Sequence, residues 1–134
     1  MTNVEFGSFP FDWNKARACG DFAKITDKNS MYVVSGEKTP VLLRFVASSD
    51  VLHMGEMIIP SGGIGPRQTE YDVHKGDAVF YVIEGTLTFL IRDSEDVYEV
   101  PANEYMFIPE GVAYKCINYT GTVVKAYFMV APEL

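Results

Sequence analysis

Apolar and polar positions alternate in short runs from Met31 onward, and Val, Ile, Tyr and Phe dominate those runs. A two-residue period between turn residues is the grammar of half-buried strands. It predicts strands near 31–35, 40–47, 51–59, 69–74, 78–83, 86–92, 97–100, 105–108, 113–118 and 123–130. The breaks are chemical: Gly36-Glu37-Lys38, Ser48-Ser49-Asp50, Glu84-Gly85-Thr86, Arg92 to Asp96, and Pro109-Glu110-Gly111 all read as turns. Pro60-Ser61-Gly62-Gly63-Ile64-Gly65-Pro66 reads as a loop, because its proline and glycine density opposes a strand. Many short strands with turn signals about every ten residues, and no competing helical period, predict an all-β sandwich or barrel. The mouth of such a barrel is a common place for a ligand.

Residues 1–30 read differently. Phe6, Phe9, Phe11, Trp13 and Phe22 crowd a segment broken by Gly7 and Pro10. We read an N-terminal aromatic arm with one helical turn at 13–18, docked on its own barrel or on a second subunit, ahead of a single domain at 31–134.

Composition narrows the picture without changing it. The 134 residues are 48% hydrophobic and 22% charged, which fits one globular domain and excludes a disordered chain. The net charge is −7. Residues 1–49 hold six bases against five acids, so the acidity belongs to the rest. A negative surface repels phosphate backbones, so neither nucleic acid nor an anionic membrane is the expected partner. Cys19 and Cys116 have neither the number nor the spacing of a disulfide framework or a thiolate zinc site. The first residues lack the basic and apolar regions of a signal peptide, and no apolar run reaches the roughly eighteen residues of a membrane span, so a cytoplasmic protein is expected.

Two segments carry a resemblance. The first contains Pro60-Ser61-Gly62-Gly63, Asp72-Val73-His74, and Asp77 through Gly85-Thr86-Leu87. The second runs from Val100-Pro101-Ala102-Asn103 through Phe107-Ile108-Pro109-Glu110-Gly111-Val112-Ala113-Tyr114 to Asn118. Together they resemble the two motifs of the cupin superfamily, with Gly85, Pro109, Gly111 and Asn118 at the expected turns. The likeness covers roughly 55–134. It implies a small single-domain cupin: an antiparallel β-barrel of the double-stranded β-helix, or jelly-roll, type.

The resemblance also marks the site. In many cupins three histidines and a glutamate hold Fe, Mn, Ni or Zn. The matching positions here are Asp72, His74, Ala78 and Tyr114, with Asp77 near the glutamate position if the alignment slips by one. That set is degenerate, so no tightly bound standard metal is favoured. A divalent ion on Asp72 and His74 is the alternative, and its oxygen-rich ligands would suit Mn or Mg better than zinc-like ions.

Asp72 and His74 are two apart, so on a strand they share a face, and Glu70 and Gln68 continue the parity if the strand is regular. A carboxylate beside the imidazole would raise its pKa and burial would lower it. His74, Asp72 and Tyr114 are the candidate catalytic residues. His74 would move a proton, Asp72 or Glu70 would orient it, and Tyr114 would hold a substrate oxygen. Arg67, Glu70 and Gln68 are candidate substrate contacts, Arg67 as a clamp for a carboxylate or phosphate.

The expected function is binding of a small carbonyl- or carboxylate-bearing metabolite with isomerase, epimerase or lyase chemistry. The alternatives are a non-catalytic ligand-binding or regulatory cupin, and a metal-dependent oxygenase or decarboxylase. A homodimer is expected from the apolar surface of the arm.

Overall fold

The computed structural model describes residues 10–36, 38–65 and 70–134. In chain order these form α1 (Trp13–Cys19), a short 3-10 turn at Asp27–Asn29, β1 (Met31–Ser35), β2 (Val41–Ser48) and β3 (His53–Ile59). There follow β4 (Ile64–Gly65), β5 (Asp77–Glu84), β6 (Thr86–Ile91), β7 (Val97–Pro101), β8 (Tyr105–Ile108), β9 (Tyr114–Ile117) and β10 (Val124–Ala131).

The strands build two sheets, ordered β1-β2-β3-β10-β5-β8 and β4-β9-β6-β7, with every pairing antiparallel. Alternation dictates which sides face inward. Val41, Leu43 and Phe45 on β2, Ala78, Phe80 and Val82 on β5, and Val124, Ala126, Phe128 and Val130 on β10 are all buried. They meet Leu87 and Phe89 of β6 and Tyr114 and Cys116 of β9 in one core. Phe80 bridges the sheets, with its ring centroid 5.1 Å from Phe89 and 5.6 Å from Tyr114.

Two expectations need correction. The strand expected at 69–74 is reduced, among the described residues, to a single bridge. Asp72 N–H donates to the Tyr114 carbonyl at 2.8 Å and Tyr114 N–H returns the bond at 3.0 Å. Beyond it the His74 carbonyl accepts from Gly111 N–H, a turn residue rather than a strand neighbour, so the ladder stops. Conversely, the expected loop at 60–66 contains β4, which pairs Ile64 and Gly65 with Ile117 and Cys116. Its partner imposes the strand: Asn118 N–H donates to the Gly63 carbonyl and Gly62 N–H to the Asn118 carbonyl. The fully buried Asn118 side chain fixes the same corner, donating to the Ile59 and Thr122 carbonyls and accepting from Thr120 N–H and Oγ1.

In the N-terminal region the expected helical turn is α1. Asp12 caps it by accepting from Lys15 N–H at 3.0 Å. The helix lies beside β2, and Asn14 Oδ1 accepts from Asp50 N–H at 2.7 Å in the β2–β3 turn. Trp13 stands against Phe11, ring centroids 4.5 Å apart. Phe6 and Phe9 lie outside the described residues, and Phe22 is fully exposed. No helix among the described residues is long and apolar enough to cross a membrane.

Candidate functional site

The segment after the Asp72 bridge leaves the ladder and bends at Lys75 and Gly76 before β5. Burial still alternates through it: Asp72 and His74 are buried while Val73 and Lys75 are exposed. The shared face expected for Asp72 and His74 is present, and it points into the core. The parity does not reach Glu70, which is exposed. Arg67 and Gln68 lie outside the described residues.

Inside, His74 Nε2 lies 2.5 Å from Tyr114 Oη, a direct hydrogen bond between two buried side chains. Their rings are 5.5 Å apart and tilted by 45°. The other ring nitrogen, Nδ1, is buried and, among the described residues, has no hydrogen-bond partner. Asp72, 1% exposed, is close enough that its charge acts on both Tyr114 and Cys116.

Electrostatics holds the pair neutral. Burial lowers the His74 pKa from the ordinary 6.5 to about 4, so desolvation decides the competition left open by the sequence. Burial also pushes the Tyr114 phenol well up, helped by the neighbouring Cys116 and Asp72. The buried Cys116 thiol is likewise raised by burial, then by Asp72, which removes it as a nucleophile at neutral pH.

Little room is left. The side chains of Met57, His74, Phe80, Tyr114, Phe128 and Val130, closed by Leu134, bound a space of about 10 Å³, roughly one water-sized group. Among the described residues, aromatic side chains and Leu134 crowd this face of His74, so the open pocket implied by a barrel mouth is not found here. Leu134 has no local link in the sequence to position 74; only the fold brings them together.

The four ligand-type positions do not fit a cupin metal. Tyr114 takes the coordinating nitrogen of His74, and the third position is the buried methyl of Ala78. Asp77, the alternative carboxylate, is exposed and accepts from Glu110 N–H at 2.9 Å. Among the described residues no three His, Cys, Asp or Glu side chains gather to hold an ion.

Among curated proteins none matches the chain. Solved structures are similar in fold. An RmlC-like cupin from Shewanella frigidimarina is 15% identical with a TM-score of 0.61, over 75% of this chain and 84% of that one. An RmlC-like cupin with a double-stranded β-helix fold from Methanocaldococcus jannaschii is 13% identical with a TM-score of 0.60, over 81% and 87%. The polyketide cyclase RemF from Streptomyces resistomycificus is 17% identical with a TM-score of 0.63, over 82% and 79%. The cupin domain family model matches residues 55–130, which hold both motif segments and every described side chain around His74 except Leu134. By fold, motif and family model together, the chain belongs to the cupins.

Proposed function

We propose that this cupin binds a small carbonyl- or carboxylate-bearing molecule through the His74–Tyr114 pair. One observation carries the reading: among the described residues, no group bonds the buried His74 Nδ1. A buried polar atom left unsatisfied costs about 1–3 kcal/mol, so it calls for a functional explanation. With the phenol donating to Nε2, Nδ1 carries the imidazole proton. It then offers one donor in apolar surroundings, and a ligand oxygen is its matching acceptor.

Neutrality favours binding over proton transfer. A base whose conjugate acid has a pKa of about 4 is poorly matched to work near pH 7. Acid/base isomerase, epimerase or lyase chemistry remains the second reading. It is favoured by the direct phenol–imidazole contact, which would couple a proton at His74 to a substrate oxygen at Tyr114.

The test is a thermal-shift panel of small ketones, hydroxy acids and carboxylates. A compound bound at a hundred times its Kd stabilises by about 2.7 kcal/mol, a rise of several degrees. His74→Gln should abolish that rise. Recovery of the compound unchanged supports binding. Conversion that stops in His74→Ala establishes the acid/base reading instead. A panel whose hits shift wild type and His74→Gln equally overturns both.

We also propose a homodimer. Tyr105, Phe107 and Met129 put exposed apolar surface on the outer face of the six-stranded sheet. Light scattering across a concentration series should give twice 15.0 kDa; a monomer mass throughout rejects the dimer.

A further inference from the structure

The segment after β10 does more than end a strand. Leu134 is half-buried, packs on the core and lines the same small space as His74 and Tyr114. It is held there from outside by contacts that do not involve its own side chain. Gly76 abuts this backbone so closely that a Cβ would lie 2.4 Å from the Ala131 oxygen and 2.8 Å from the Pro132 nitrogen. His53 hydrogen-bonds the Pro132 backbone, necessarily its carbonyl because proline has no N–H, and Glu133 lies within electrostatic reach of the same ring. The other His53 nitrogen, Nδ1, is fixed 2.6 Å from Ser48 Oγ.

These anchors give the Leu134 side chain a particular position. With the backbone pinned at Gly76 and His53, the isobutyl group fills a place that the segment would otherwise leave open. Its neighbours there are the apolar Met57, Phe80, Phe128 and Val130. The polar groups are His74 and Tyr114, and of their polar atoms His74 Nδ1 is the one without a partner among the described residues. A site of this make-up recognises an apolar body by contact and one oxygen by a hydrogen bond.

We infer that Leu134 is the specificity-determining residue of the His74–Tyr114 site, standing where the apolar body of the ligand goes. The ligand class is then a compact aliphatic or alicyclic molecule with one acceptor oxygen, rather than a densely polar metabolite. This inference rests on the binding reading above and refines its substrate class. The side chain of residue 134 sets the size that the site admits.

Diethyl pyrocarbonate, which acylates neutral imidazole, is the access probe. Peptide mapping follows His74 and His53, the only histidines, at neutral pH. Leu134→Ala should raise the His74 labelling rate by at least about tenfold, the size of a local-opening change near 1.4 kcal/mol, with His53 little changed. Leu134→Phe, which refills the space, should keep His74 protected. An unchanged His74 rate in Leu134→Ala overturns the inference, and so does a parallel rise at both histidines. In Leu134→Ala, cyclohexanone should protect His74 at concentrations about tenfold below those of acetone, which presents the same oxygen on a smaller apolar body. Equal protection by the two ketones overturns the ligand class. Faster labelling with protection by neither ketone overturns the binding reading while leaving Leu134 as the closure.

Discussion

Gly55→Ala is expected to destabilise the protein by about 3 kcal/mol or more, at the top of the usual range for overpacking a core. Gly55 sits in β3 between β2 and β10, opposite Phe45 and Phe128. A Cβ there would lie 2.5 Å from the Arg44 carbonyl oxygen and 2.6 Å from the Phe128 ring. Neither neighbour can yield cheaply. The carbonyl belongs to a sheet backbone held by strands on both sides of β2, and Phe128 is wedged against Phe45 with centroids 5.4 Å apart. Urea unfolding of the variant is the measurement. A loss under about 1 kcal/mol would mean that the three central strands can spread without breaking their ladder.

The second large effect is a dependence of stability on pH that passes through His74. Its pKa is about 4 in the folded protein and 6.5 as a free side chain. Between those values the unfolded chain binds the proton and the folded chain does not, so stability rises with pH. The full stability is present above pH 6.5 and is lost as the pH falls towards 4. The total loss is about 3 kcal/mol for a shift of this size. His53, also lowered chiefly by burial, acts in the same direction, so the measurement is the difference between wild type and His74→Gln across this window. Parallel curves for the two proteins would show that the imidazole is not held neutral, and the preference for binding over proton transfer would fall with it.

The sheets were legible in the sequence because alternation is local. Runs such as Val41–Ser48 and Val124–Ala131 show their inner and outer faces residue by residue. The common face of Asp72 and His74 was legible for the same reason, even though their segment is not a strand. A two-residue period needs only an extended backbone, not a partner. The short strand β4 was hidden because its pairing is imposed by Cys116 and Ile117, some fifty residues away, against its own composition. The packing of Leu134 beside His74 was hidden for a similar reason. Pairing of Ala131 with Asp77 carries the following residues past Gly76 and towards His74, and that juxtaposition exists only in the assembled sheet. The balance between a neighbouring carboxylate and burial at His74 likewise depended on how deeply the ring sits, which no spacing along the chain encodes.

The placement of Trp13 has a spectroscopic consequence. It is the only tryptophan in the chain, and it stands on α1 beside the β2–β3 turn rather than between the sheets. Indole emission therefore reports on whether the helix is docked, while tyrosine signals, including that of the interior Tyr114, follow the sheets themselves. Monitored at both wavelengths, a denaturation series distinguishes peeling of the helix from collapse of the β-structure.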